Sequence, residues 1–393
     1  MFQALKTALI ILAGVLPLSL ATAGEFTTFK NDHGIDLFFD YTGEVLSNVS
    51  GGDHTGTGYN GLASFGVEAD LGQAIGWKGV KMRLSGMDLH GSGIGSRVGD
   101  MMGVSNMEGY GSVRLYESWV EKSFAGESLS LRAGLLLADE EFSTLDTTGP
   151  FLNSTFGWPE FISMNTVNTG PAFYIPALGA RLLWAPNETW YGQVGVYDGD
   201  TFDSSAGDDT VNRHGLHLEL GDGQGTFGMA EVGYRHNQAE AVPGLPGTYK
   251  LGGWWHSGDF SGGASHNGTQ GVYASGEQMV YREYGDQGLS LFVRVGFAPE
   301  DHSEVDYSFQ IGASYVGLIP NRDIDTVALG LSHAHISGEL PGRTTETMIE
   351  LAYEYVMSDD FTIQPSVQWV GDPGATGELD DAIVLGLRVN LSF

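Results

Sequence analysis

One pattern runs through the chain almost from end to end. Stretches of about ten residues alternate apolar and polar side chains, with turn residues between them. The last stretch is the clearest. Ile383, Leu385, Leu387, Val389, Leu391 and Phe393 share one parity, and Val384, Gly386, Arg388, Asn390 and Ser392 share the other. In a β-strand these two sets point to opposite faces. The same holds near the start, where Ile35, Leu37, Phe39, Tyr41 and Val45 oppose Asp36, Asp40, Thr42 and Glu44. It holds again in the middle, where Leu289, Leu291, Val293, Val295 and Phe297 oppose Ser290, Arg294 and Gly296. Beyond the N-terminal twenty residues no apolar run approaches the roughly 20 residues of a membrane helix. The chain therefore reads as all-β.

The apolar face would suit the core of a soluble sandwich or a lipid-facing wall. The other face separates the two. It carries lone charges and amides, and aromatic residues stand at strand ends (Trp77, Trp190, Tyr307, Phe361). A polar lumen with aromatic girdles is the layout of a transmembrane antiparallel β-barrel. Seventeen stretches read as strands: 35–46, 62–71, 77–90, 112–122, 128–137, 177–186, 189–198, 214–221, 226–236, 248–257, 271–281, 288–298, 306–317, 325–336, 346–357, 361–371 and 382–393. A closed barrel with both termini on one side needs an even number, so one assignment is in excess, and the 226–281 region is where the excess is expected. Several links are short (Pro186-Asn187, Ser358 to Asp360), whereas 47–61, 91–111, 138–176 and 199–213 are long. Short turns on one side and long loops on the other fit the same architecture.

Residues 1–23 read as an export signal. Lys6 supplies the positive region, Ala8 to Leu20 the apolar one, and Ala21-Thr22-Ala23 a small-x-small cleavage site, which leaves 24–393 as one barrel domain. There is no Cys, so no disulfide and no thiolate nucleophile or metal site. With 49 Asp and Glu against 18 Lys and Arg, the formal charge is −31, which argues against a nucleic-acid partner. Glycine, at 59 of 393, is about twice its usual abundance, a sign of close backbone approach rather than of disorder, since aromatics make up 11%. The acidic runs Asp139-Glu140-Glu141 and Asp198 to Asp209 lack the spacing of a calcium loop. His333 and His335 share a face without a third ligand. No nucleophile-His-acid grouping is visible. No metal, cofactor or enzyme activity is expected.

Taken together, "RLYESWVE" (Arg114 to Glu121), "LLLADEEF" (Leu135 to Phe142), "LNSTFGWPEF" (Leu152 to Phe161), "PALGARLLWAP" (Pro176 to Pro186), "VYDGD" (Val196 to Asp200), "YKLGGWWHSGDF" (Tyr249 to Phe260), "GLSLFVRVGFAPED" (Gly288 to Asp301), "GLIPNRDIDTVALG" (Gly317 to Gly330) and the terminal "AIVLGLRVNLSF" resemble the carbohydrate-selective porins of the OprB type. The order and spacing of these strings carry the resemblance. Where relatives often read "PGRPDD", this chain has Pro320 to Asp325 as a differing turn.

The resemblance implies a 16-stranded outer-membrane barrel for passive sugar diffusion, narrowed by an inward-folded third loop, here Ala138 to Pro176. That loop brings Asp139, Glu140, Glu141, Phe142, Asn153, Phe156, Trp158 and Tyr174 as candidate constriction residues. It also implies lipid as the surroundings, and Phe393 as an address for the barrel-assembly machinery. Strand parity independently places Arg83, Arg132, Arg181 and Arg294 toward the lumen, with Glu231, Glu350 and Glu354. Arg114 and Glu117 lie an odd distance apart and share a face only if a bulge intervenes. Charged and amide groups can exchange water's hydrogen bonds to sugar hydroxyls for their own, and aromatic faces can cover sugar C–H surfaces. Other readings are a barrel enzyme, a soluble carbohydrate-binding protein and, within the pore class, a general or cation-preferring porin.

Overall fold

The computed structural model describes residues 29–30, 33–204, 208–220, 223–238, 244–260 and 266–393; the expected export signal lies outside them. Sixteen strands form one closed antiparallel sheet. They are β1 (Ile35–Ser50), β2 (Gly56–Asp70), β3 (Val80–Gly91), β4 (Ser112–Phe124), β5 (Leu129–Leu136), β6 (Ala177–Trp184), β7 (Trp190–Asp198) and β8 (Thr226–His236). The second half is β9 (Gly247–Phe260), β10 (His266–Arg282), β11 (Gly288–Phe297), β12 (Val305–Val316), β13 (Thr326–Ile336), β14 (Thr345–Ser358), β15 (Phe361–Gly371) and β16 (Ala382–Ser392). Each pairs with the next, and β16 closes on β1 in the register Leu391↔Tyr41 and Arg388↔Glu44. A two-residue strand, Phe29–Lys30, pairs with Leu37 and Asp36.

The alternation sorts side chains as a membrane demands. Leu291, Val293, Ile311, Leu329, Leu351 and Val367 stand exposed on the outside, while Arg294, Gln310, Ser332, Glu350 and Gln368 on the same strands are buried within. Moving each outward aliphatic side chain from water into lipid gains about 1.5–3 kcal/mol. Closure is equally required, because an unpaired backbone polar group in hydrocarbon costs several kcal/mol.

Two features differ from the sequence reading or settle it. The 226–281 region, where an excess strand was expected, is three well-paired strands, β8 to β10. The excess strand is the one expected at 214–221, whose described residues, 214–220, are irregular and hold Leu216, Leu218 and Leu220 exposed. The cause lies in the neighbouring wall. β5 pairs with β4 only from Ser118 onward, so among the described residues the Ser112–Glu117 edge of β4 has no strand beside it. That edge is capped instead. Leu115 N–H donates to the His214 carbonyl (3.0 Å), and Arg213 donates to the Gly111 carbonyl (2.9 Å).

The second feature is a bulge. The β3–β4 register jumps from Leu84↔Ser118 to Gly86↔Leu115, which leaves one extra residue on β4. Arg114 and Glu117 thereby face the same side, both buried. Glu117 N–H donates to the Ser85 hydroxyl across the bulge (3.1 Å).

Candidate functional site

Two long links lie against the inner faces of the strands. The first, 137–176, carries Phe151, Phe156, Trp158 and Phe161, all buried. Phe151 and Phe156 stack at 4.1 Å between ring centroids, and each meets Phe292 of β11 edge-on. Wall residues hold the backbone of this segment. Glu231 accepts Ser143 N–H (2.9 Å), and Glu277 accepts Thr147 N–H (2.8 Å). Glu350 accepts Leu152 and Asn153 N–H (2.9 and 3.0 Å). Arg294 donates to the Phe156 carbonyl (3.2 and 3.3 Å) and to Gln310 (2.9 Å). Carboxylates can sit here without an arginine each, because peptide N–H groups supply charge-assisted bonds.

The second link, 92–111, is knitted to the first. Asn106 N–H donates to the Leu152 carbonyl (2.7 Å), and Ser154 N–H donates to the Gly103 carbonyl (2.8 Å). It is also tied to the wall. Arg388 pairs with Glu44 (2.7 Å) and donates to Asn106 Oδ1 (2.6 Å), while Ser105 bonds Glu44. Gln368 spans both segments, donating to the Val104 carbonyl (2.8 Å) and accepting from Asn153 (3.1 Å).

Between the two segments and the β16–β1–β2 wall lies a chamber of about 350 Å³. The wall contributes Thr42, Leu62, Arg388 and Asn390. The 92–111 segment contributes Asn106, Met107 and Glu108, and the 137–176 segment Asp139, Ser154, Gly157, Trp158 and Phe173. Trp158 is fixed by its indole N–H, which donates to the Thr169 carbonyl (2.8 Å). Asp139 accepts from Phe173 N–H (2.9 Å). Burial pushes the Asp139 carboxyl up to about 6. Desolvation, then the Glu117 and Asp139 carboxylates, push neighbouring Glu140 up to about 8. A wider hollow of about 830 Å³ on the outer wall, lined by Ala274, Val293, Ile311 and Leu329, belongs to the apolar exterior.

The sequence candidates divide into groups. Asp139 and Trp158 line the chamber. Arg83 pairs with Glu117 (2.7 Å) and bonds Glu68, with its guanidinium over the Phe38 ring at 4.6 Å. Arg132 and Arg181 form a four-membered ion cluster with Glu121 and Glu141 at 2.6–3.1 Å, and Arg132 lies over Trp119. That cluster ties the start of the 137–176 segment to the wall. Tyr174 meets Tyr110 edge-on at 5.0 Å, and Arg114 donates to the Tyr110 hydroxyl (2.7 Å). Phe142, Asn153, Phe156, Arg181 and Arg294 are buried away from the chamber, at contacts between segment and wall.

The sequence reading did not select Arg388, Asn390, Thr42, Asn106 and Glu108. Parity had already put Arg388, Asn390 and Thr42 on the polar face. For the 92–111 link, the available signal was its apolar content, Met101, Met102, Val104 and Met107, in a long link between strands.

A closed antiparallel barrel, apolar outside and polar within, with two long segments packed against its inner faces, defines a membrane-spanning pore protein of the porin class. The chain belongs to the carbohydrate-selective porin, OprB family, whose model matches residues 54–393. It is an outer-membrane channel for carbohydrates and not an enzyme. It is 25% identical to Porin B of Pseudomonas aeruginosa, over 92% of this chain and 88% of that protein. It is 22% identical to the putative porin QuiX of Acinetobacter baylyi, over 90% of this chain and 89% of that protein. A structure described as the high-pH form of Pseudomonas putida OprB superposes with a TM-score of 0.81 at 22% identity, covering 92% of this chain and 95% of that one.

Proposed function

We propose that the chamber is the constriction of the pore and admits one small neutral sugar at a time, of the monosaccharide class, by passive diffusion. The observation that carries this reading is the chamber itself. Its volume of about 350 Å³ is at the small end of ligand pockets, which run to about 300–1,000 Å³. Arg388 and Asn106 offer donors to hydroxyls, and Glu108 and Asp139 offer acceptors. Trp158 and Phe173 cover the C–H faces of a pyranose ring. Binding stays weak because Arg388 is already engaged by Glu44 and Asn106, so a sugar competes for its donors. A weak site suits a channel, which must release what it admits.

The remaining candidates act at one remove. Arg294, Arg181, Arg132, Glu141, Asn153, Phe142 and Phe156 hold the 137–176 segment in place. Arg83, Glu117, Arg114 and Tyr174 shape the approaches on either side of the chamber. The apolar exterior faces outer-membrane lipid. The C-terminal strand, whose Phe393 N–H donates to the Phe39 carbonyl (2.8 Å), ends in the residue read by the barrel-assembly machinery, and residues 1–23 are the export signal.

A second reading has its own support. Glu108, Asp139 and Glu140 form no salt bridge among the described residues, which favours a pore that prefers cations over one specialised for sugars. Liposome swelling separates the two. A monosaccharide admitted well ahead of a neutral amino acid of similar size, with a disaccharide slower still, supports the sugar constriction. Equal rates for the sugar and the amino acid would leave the general pore.

A further inference from the structure

The glycines on the inner wall are placed where the 137–176 segment seats its aromatic rings. Gly312 and Gly330 are direct neighbours across the β12–β13 ladder, in a row that runs Phe292, Gly312, Gly330, Glu350. A Cβ on Gly330 would lie 2.5 Å from Phe156 Cζ and 2.8 Å from Phe151 Cζ. A Cβ on Gly312 would lie 2.6 Å from Phe292 Cε1, the ring on which both phenylalanines rest. At the end of the row, Glu350 takes the N–H groups of Leu152 and Asn153. Gly296 of β11 gives Phe161 the same accommodation, and Gly195 of β7 gives it to Phe142. None of these four glycines has a left-handed φ; at Gly312 the Leu329 carbonyl oxygen, 2.4 Å from where a Cβ would stand, also favours glycine, whereas at Gly330 the nearest atoms are ring carbons. At Gly330 and Gly296 the missing Cβ is what the rings require.

We propose that the Gly312–Gly330 trough is a positioning device that sets the width of the constriction, by fixing how far the Phe151–Phe156 pair sinks into the wall. This rests on the chamber being the constriction of the pore. Ser154, Gly157 and Trp158, three of the five chamber-lining residues of the segment, lie within two positions of Phe156 in the chain. Non-bonded carbons settle at about 3.5–4.0 Å, so a methyl group on Gly330 displaces the rings by about 1 Å, away from β13 and toward the chamber. Shortening the ring side chain acts the other way and lets the segment settle deeper.

The test uses the full-length barrel in planar bilayers and liposomes. Potassium chloride conductance reads the width without any sugar, so a failure of the trough and a failure of the sugar reading give different results. Gly330→Ala is expected to keep the heat-modifiable folded band and to lower single-channel conductance roughly two-fold or more. Phe156→Leu alone is expected to raise conductance and to admit a disaccharide the parent excludes. The double variant Gly330→Ala/Phe156→Leu is expected to return toward the parent on both readings, a rescue that general loosening of the fold does not produce. A folded Gly330→Ala with parental conductance would overturn the proposal, and so would a folded double variant no closer to the parent than Gly330→Ala alone. If Gly330→Ala does not fold, Phe156→Leu still decides: higher conductance supports the trough, and parental conductance overturns it.

Discussion

Two inward arginines show how differently the two sides of this lumen are used. Arg294 on β11 and Arg388 on β16 have the same parity and both are buried. Arg294 ends on the Phe156 carbonyl and Gln310, under a packed segment. Arg388 ends on Glu44 and Asn106, at the edge of the chamber. The β8–β15 side of the barrel is a core, with stacked phenylalanines and wall carboxylates bonded to loop peptides. The β16–β2 side keeps polar groups at an open cavity. Strand parity tells in from out. It does not tell a filled lumen from an open one, because that depends on where the long links go.

The contrast predicts its largest effect on the filled side. Replacing Arg294 with Ala leaves the Phe156 carbonyl and the Gln310–Glu160 contacts without their buried cation. A loss of about 3 kcal/mol of stability is expected. It should appear as a lower temperature for conversion of the folded band on gels, together with noisier single channels. The parity reading alone would expect altered sugar flux from a barrel of parental stability. That outcome would show the filled side to be more open than described.

On the open side, Trp158→Ala should leave the barrel folded and slow sugar entry relative to ion conductance, because it removes an aromatic face from the chamber. Stacking of this kind is worth about 0.5–1.5 kcal/mol, so sugar-dependent block of ion current should weaken by a few-fold. Unchanged block would move the sugar contact elsewhere in the lumen.

A smaller effect concerns pH. Asp139 and Glu140 are both raised, to about 6 and about 8, so Asp139 in the chamber and its neighbour Glu140 gain negative charge as pH rises through that range. Reversal potentials in a potassium chloride gradient should show cation preference growing from pH 5 to pH 9, and Glu140→Gln should flatten the upper part of that rise. The linkage has the opposite sign for stability. Carboxyls raised above their unfolded values stabilise the fold when protonated, and that contribution is lost as pH rises through the same interval. Selectivity that does not change with pH would show that these two groups do not face the permeating ion.

The smallest effect is expected from salt. With a formal charge of −31, the mouth should favour cations, and the preference should weaken as the Debye length falls from about 10 Å at 0.1 M to about 3 Å at 1 M. Flux of a neutral sugar should change little over that interval. An anion-selective channel would show that Arg388 and Arg83 dominate the field at the narrowest point.

The alternation of side chains along the chain determined by itself that this protein is a barrel, which face meets lipid and nearly all of its strands. The information is local, since a two-residue period needs only neighbouring positions to be read. The 214–220 segment has that period and is not a strand, because pairing depends on a partner edge that its own residues do not specify. Only tertiary structure decided that the 92–111 link joins 137–176 inside the barrel. It also placed Arg114 and Glu117 on one face through an extra residue, and made Arg294 a clamp while Arg388 lines the chamber. Each of these outcomes depends on contacts between residues far apart in the chain, such as Glu350 with Leu152 and Arg388 with Asn106, whose partners no short window of sequence contains.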